Sequence, residues 1–122
     1  MINIFLLNSL MSASQVEHFK VKAAVMKTLS AQETKKILKY YSTKRKYNIG
    51  VQVKVISSEV LDGSYVDKKY KKGDTLNIVI SGNNKSFLQK VQKNKKLILE
   101  YNYYDDDLPK GMMVRISWTL ME

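Results

Sequence analysis

Cysteine is absent from this 122-residue sequence, and histidine and proline each occur once. Without cysteine the chain can form neither disulfides nor thiolate metal and iron–sulfur sites, although this leaves its compartment open. A single histidine, His18, excludes histidine-based metal spacing, and no serine stands in a nucleophile-elbow context. No glycine-rich phosphate loop is present either. We therefore expect a non-enzymatic protein without a cofactor, long enough to bury one core without cross-links.

Acidic residues are also scarce: 11 stand against 21 lysines and arginines, which gives a net charge of +10. The excess is concentrated in residues 11–48, where nine basic side chains accompany two acidic ones. Such an imbalance favours polyanionic partners, either nucleic acid or an anionic membrane or glycan surface. The alternative is a solvated, lysine-rich surface with no specific partner.

Residues 1–15 form an apolar N-terminal segment that is too short to span a bilayer, so no transmembrane segment is predicted. Ser12, Ala13 and Ser14 resemble a signal-peptidase site, but no lysine or arginine precedes the apolar run. The segment is thus either signal-like or a docking segment, and residues 16–122 form a single domain. We expect a cytoplasmic location, with a secreted or periplasmic one as the alternative if residues 1–14 are cleaved.

Alternating apolar residues predict strands along most of the domain. Residues 16–29 alternate with a basic outer face that includes His18, an expected surface or edge residue. Residues 49–61 alternate as well, with a bulge near Ser57 and Ser58. Gly73 and Asp74 form a turn into an alternating strand at residues 75–81, and strands at residues 96–104 and 112–122 follow, with Trp118 in the core.

Two helices interrupt these strands. Ser30 and Glu33 fit a capping box that begins a helix within residues 31–46, with Tyr41 on its apolar stripe. A second, shorter helix is expected within residues 85–92. This order predicts a β-rich α+β fold: a five-stranded OB-like Greek-key barrel with one helix inserted after the first strand and a short helix between strands three and four. The alternative is a ferredoxin-like sheet with an extra strand.

The strand and turn pattern resembles OB-like barrels and, more distantly, netrin-like modules, which include the tissue inhibitors of metalloproteinases. The resemblance lies in the segments Val51-Gln52-Val53-Lys54-Val55, Val60-Leu61-Asp62-Gly63, Gly73-Asp74 and Lys95-Lys96-Leu97-Ile98-Leu99-Glu100-Tyr101. Netrin-like modules carry disulfides, and the inhibitors use an N-terminal cysteine against a catalytic zinc. Because this chain has no cysteine, that inhibitory mechanism does not carry over.

Basic residues interleaved with tyrosines form two candidate surfaces for single-stranded DNA or RNA, because phosphate neutralisation combined with base stacking commonly holds single strands. The first surface comprises Lys35, Lys36, Lys39, Lys44, Arg45, Lys46 and Tyr47. The second comprises Tyr65, Lys68, Lys69, Tyr70, Lys71 and Lys72, and Tyr104 is a further stacking candidate. Of Tyr40, Tyr41 and Tyr47, at least one is expected to be core.

The sequence also admits two other functions, and it contains one run of acidic residues that resembles a metal site. The chain could instead be an extracytoplasmic netrin-like protein-interaction module, or a subunit of a larger assembly or homo-oligomer. The run Asp105-Asp106-Asp107 could ligate a divalent cation, but it lacks the ligand spacing of a calcium loop. We expect it to be a solvated hairpin tip, and no metal site is predicted.

Overall fold

The computed structural model describes residues 14–39, 41, 45–62, 64, 70–106 and 113–121. It contains five strands and two helices: β1 Ser14–Thr28, α1 Ala31–Leu38, β2 Tyr47–Val60, β3 Thr75–Gly82, α2 Phe87–Lys90, β4 Lys96–Asp106 and β5 Met113–Leu120. Neither of these helices is long and apolar enough to cross a membrane. The predicted N-terminal segment lies outside the described residues except for the first residues of β1.

The five strands close into a barrel in the order β1-β2-β3-β5-β4, because the long strand β1 pairs with both β2 and β4. All pairings are antiparallel except that of β3 with β5, which is parallel and joins Ser81 to Thr119. This topology confirms the predicted OB-like barrel with a helix after the first strand and another between strands three and four. A ferredoxin-like sheet is excluded because it would be open.

The β1–β2 ladder contains two bulges, one in each strand. Ile56 of β2 is an extra residue, since Lys22 pairs with Ser57 and Ala23 pairs with Val55. Met26 of β1 is extra in the same way, between Val25 and Lys27. Bulges increase strand twist and bend the chain, as closure of a small barrel requires. The bulge predicted near Ser57 is therefore confirmed, one residue earlier than expected.

Inward-facing aliphatic side chains from β1 to β4, together with an aromatic cluster, fill the barrel. The cluster consists of Phe19, Tyr70, Tyr101 and Trp118, with the Tyr101 and Trp118 ring centroids 4.5 Å apart and Phe19 stacked on Tyr101 at 5.9 Å. Trp118 is buried, as predicted. Such rings contribute large buried areas and a further ~0.5–1.5 kcal/mol per favourable pair.

The capping box of α1 is confirmed. The Glu33 N–H donates to the Ser30 hydroxyl at 3.1 Å, and the Ser30 N–H donates to the Glu33 carboxylate at 3.2 Å. The helix ends at Leu38, however, so the prediction of a helix extending toward residue 46 with Tyr41 on its stripe is wrong. Tyr41 instead forms a parallel bridge with Ile116 of β5, so its backbone pairs with a strand and does not continue the helix.

Helix α1 lies on the outer face of the β2–β3 ladder. Its Thr34 packs so closely on Gly50 of β2 that a Cβ at position 50 would overlap the Thr34 side chain. On β3, Val79 and Ser81 occupy outward positions and are nevertheless buried. The centre of this outer face is therefore covered by the chain itself.

Candidate nucleic-acid interface

The first predicted surface divides between α1 and the segment that enters β2. Lys35 and Lys36 are exposed on α1, and Lys39 follows at its C-terminal cap. Arg45 and Lys46 are exposed immediately before β2. Lys44 lies outside the described residues, as do Tyr65, Lys68 and Lys69 of the second surface.

Arg45 lies at a polar pocket of about 290 Å³ at the end of the barrel where β3 finishes. The turn after β3 contributes Asn83, Asn84 and Ser86 to this pocket, and Lys90 of α2 completes its cationic lining. No carboxylate lines the pocket among the described residues. Two cations, two amides and several hydroxyls thus converge on a space suited to an anion.

Close packing fixes the turn that forms this pocket. A Cβ at Gly82 would come within 2.7 Å of the Phe87 ring, so the ring of α2 rests directly on the glycine backbone. The Phe87 N–H also donates to the Asn84 carbonyl at 3.2 Å. The sequence identifies only a turn at Gly82, Asn83 and Asn84. No pattern of neighbouring residues indicates that Arg45 lies at the same pocket.

Tyr47 stands beside this pocket, since it pairs with Gly82 in the β2–β3 ladder. The ring is half-buried and packs against the core, while the Lys46 ammonium lies 5.7 Å from the ring centroid. That distance is within the range of a cation–π contact. Tyr47 thus offers a ring for base stacking, and Lys46 beside it offers a cation for the neighbouring phosphate.

The second predicted surface lies at the opposite end of the same ladder. Lys71 and Lys72 are exposed in the turn before β3, where the Lys71 N–H donates to the Asp74 carboxylate at 2.8 Å and Gly73 adopts a φ of 95°. The ladder runs from Tyr47–Gly82 to Lys54–Thr75, a length of about 23 Å at ~3.3 Å per residue. The two predicted surfaces are therefore separate sites and not one patch.

Two of the predicted tyrosines do not lie at the pocket. Tyr70 belongs to the aromatic cluster, with its ring centroid 5.5 Å from that of Tyr101 and 5.6 Å from that of Trp118. Its ring therefore packs on the core and is not part of the interface at the pocket. Tyr104 is half-buried in β4, where it pairs with Arg115 of β5. This pair lies toward the end of the β4–β5 ladder away from Thr119, which lines the pocket. Of the predicted stacking residues that the structure describes, only Tyr47 adjoins the cationic pocket.

Tyr41 packs against the core, as predicted for at least one of Tyr40, Tyr41 and Tyr47. Its side chain packs against the core cluster, and burial raises the pKa of its phenol to about 12. Tyr101 lies within the aromatic cluster, and desolvation, with smaller effects from Tyr70 and Glu17, raises the pKa of its phenol well above the usual range.

His18 is more constrained than the surface residue that the sequence predicts. Its Nδ1 lies 2.8 Å from the Asp62 carbonyl oxygen, and its Nε2 lies 2.6 Å from the Glu100 carboxylate. Because both partners are acceptors, only the protonated ring can donate to both at once, so these contacts favour the imidazolium form. Burial lowers the His18 pKa, but the Asp62 carbonyl and the Glu100 carboxylate outweigh it and raise the pKa above 6.5. The residue joins β1 to β4 and to the turn after β2.

No protein-family model, curated protein or solved structure matches this chain. The OB-like fold therefore rests on strand order and register, and the candidate site rests on its geometry. Among the residues that the structure describes, no group of three or more histidine, aspartate or glutamate side chains is placed to hold a metal ion.

Proposed function

We propose that the protein is a non-enzymatic module that binds single-stranded nucleic acid with little sequence preference. One observation carries the proposal: Arg45 and Lys90 converge with amide and hydroxyl groups on a pocket beside Tyr47 whose described lining contains no carboxylate. The proposal includes a cytoplasmic location.

The chemistry of the pocket suits a phosphate next to a base. A guanidinium presents paired N–H donors that match phosphate oxygens, and asparagine amides add neutral donors. A base would stack on Tyr47 by displacing Lys46, whose ammonium would then neutralise the adjoining phosphate. Stacking on an aromatic ring contributes ~1–3 kcal/mol per base and tolerates any base.

The position of α1 limits the path that a bound nucleic-acid strand could follow over the protein. Many OB-folds bind oligonucleotides on the face of strands two and three, but in this protein α1 covers the middle of that face at Gly50. A bound strand would thus leave the pocket across α1, where Lys35, Lys36 and Lys39 are exposed. We propose these lysines as sequence-independent phosphate contacts.

Fluorescence anisotropy of labelled oligo(dT) over a salt series tests the proposal. Binding should weaken linearly in log–log form, with a slope of ~0.7 for each single-strand phosphate neutralised. The double substitution R45E/K46E should weaken binding by about tenfold or more, and Y47A by a similar factor. The variant K71E/K72E makes the same charge change at the opposite end of the ladder and should change affinity about twofold at most.

Two results would argue against this site. Absence of salt-dependent binding at ~50 mM salt would make the positive charge a solvated surface. Equal loss of affinity in R45E/K46E and K71E/K72E would attribute binding to overall charge and leave the pocket without a specific role.

A further inference from the structure

A second groove lies on the other side of α2 from the polar pocket. It has a volume of about 700 Å³ and runs between α2, the turn before β4, the first residues of β4 and the end of β5. Leu97, Ile98, Leu120 and Met121 form its apolar lining. Ile98 is 41% exposed, which is unusual for a large aliphatic side chain in the described part of this barrel.

Lysines surround this apolar lining. Lys90, Lys95 and Lys96 line the groove, and no acidic residue is among its described lining. Lys22 of β1 lies directly opposite Ile98 in the β1–β4 ladder and extends the positive surface. Lys95 and Lys96 are exposed, and neither forms a salt bridge with a carboxylate within the described part of the chain.

Backbone hydrogen bonds fix both walls of the groove. The Val25 N–H donates to the Lys95 carbonyl at 2.9 Å, and the Asn94 N–H donates to the Val25 carbonyl at 2.8 Å, so the turn before β4 is attached to β1. The Met121 N–H donates to the Ile98 carbonyl at 2.8 Å and fixes the other wall. A preformed groove spares a ligand the free energy of ordering it.

The chemistry of the groove selects among anionic partners. Its described lining contains no aromatic ring, so it offers no stacking surface for bases. Its apolar residues line a concavity, whereas insertion into a bilayer requires apolar side chains that protrude. An extended peptide fits both properties, because alternate side chains can enter the groove while the others meet the lysines.

We propose that this groove binds an acidic segment of a partner protein, in which aspartates or glutamates alternate with aliphatic residues. Carboxylates would pair with Lys95 and Lys96, and aliphatic side chains would pack on Ile98. This groove is adjacent to the proposed nucleic-acid pocket but separate from it, and Ser86, Lys90 and Leu120 line both. The proposal holds whether or not nucleic acid binds on the other side of α2.

Fluorescence polarisation with a fluorescein-labelled peptide of alternating aspartate and leucine tests this proposal. Two peptides of equal length serve as controls: aspartate alternating with serine, and serine alternating with leucine. The aspartate–leucine peptide should bind saturably and at least about tenfold more tightly than either control. K95E/K96E and I98S should each weaken its binding by about tenfold, while K35E/K36E on α1 matches the first charge change and should have about a twofold effect at most.

Circular dichroism and thermal melting of each variant establish that it folds before binding is measured, and every substituted position has an exposed side chain. The proposal is overturned if the aspartate–leucine peptide does not bind, or if the aspartate–serine peptide binds as tightly. It is also overturned if K35E/K36E weakens binding as much as K95E/K96E. Binding of phosphatidylglycerol vesicles that I98S abolishes, without peptide binding, would assign the groove to a membrane surface instead.

Discussion

Replacing Gly50 with alanine tests the placement of α1 on the barrel. A Cβ at this position would overlap Thr34 Oγ1 and lie 3.0 Å from Thr34 Cβ and 3.1 Å from Thr34 Cγ2. Rotation of the threonine cannot relieve all three contacts, since Cβ itself is too close. The helix must therefore shift outward, or the strand must bend.

The expected effect has two opposing parts. Alanine is preferred to glycine within a strand by ~0.5–1 kcal/mol, whereas overpacking a close contact costs ~1–3 kcal/mol. The overlap is the larger effect, so G50A should lower the free energy of unfolding by about 1 kcal/mol or more. For a domain of this size that corresponds to a fall in Tm of roughly 4 °C per kcal/mol.

A second substitution, T34A, relieves most of the overlap. T34A removes Oγ1 and Cγ2, and although it also removes the hydrogen bond from the Thr34 hydroxyl to the Ser30 carbonyl at 2.8 Å, the higher helix propensity of alanine offsets much of that loss. In the T34A background only the 3.0 Å contact with the Cβ of residue 34 remains, so G50A should cost less than it does in the wild type. Urea and thermal unfolding of the four proteins, followed by circular dichroism, give the coupling energy, expected to be about 1 kcal/mol.

A G50A protein within ~0.5 kcal/mol of the wild type would contradict the close packing of α1 on β2. A large loss in G50A that T34A does not relieve would also contradict it, since the strain would then lie elsewhere.

Three further substitutions test the turn before β3, the His18 contacts and the helix cap. Gly73 adopts a φ of 95°, and a Cβ there would meet no other atom within 4 Å, so G73A should cost ~1–2 kcal/mol from backbone strain alone, and G73N less, in urea unfolding. Because its pKa is raised on folding, His18 stabilises the protein fully below pH ~6.5, and this contribution is lost as the pH rises through the folded-state pKa. Unfolding in urea at pH ~6 and ~8 should show this loss in the wild type and a flatter profile in H18Q; identical profiles would refute it. S30A removes the capping box of α1 and should cost ~1 kcal/mol, with a smaller loss in S30D, measured by thermal unfolding.

Features determined by neighbouring residues could be predicted from the sequence. The alternation of Val51, Val53 and Val55 reflects a strand with one face buried, and all three are in the core. The capping box requires only Ser30 and Glu33, three residues apart. The order of elements favoured a five-stranded barrel and left a ferredoxin-like sheet as the alternative. The shortness of the second helix favoured the barrel, because such a helix is short for packing along a sheet.

Features determined by contacts between distant residues could not be predicted. Tyr41 pairs with Ile116 after α1 has ended at Leu38, and Tyr70 is partly buried against Tyr101 and Trp118. In a lysine-rich segment, Tyr70 has the sequence context of an exposed residue. One signal of the position of α1 is present in the sequence: Val79 is apolar at an outward position of β3, which indicates that something covers it.

The separation of the two basic surfaces likewise follows from strand register. Arg45 precedes β2 and Lys71 precedes β3, and because these strands are antiparallel, the two segments lie at opposite ends of the ladder. The sequence identifies two candidate surfaces but does not place them relative to each other. The structure shows that Arg45 lines one pocket with Asn83 and Lys90, and that Lys71 is not among the residues lining it.

The most direct test of the proposed interface is a ¹H–¹⁵N correlation spectrum of the labelled protein during titration with unlabelled oligo(dT). We expect the amide signals of Arg45, Lys46, Tyr47, Asn83 and Asn84 to shift in a saturable manner, with smaller changes on α1. Those of Lys71, Lys72 and Gly73 should remain in place. Shifts confined to the turn before β3, or no shifts under low-salt conditions, would contradict a nucleic-acid interface at the Arg45 pocket.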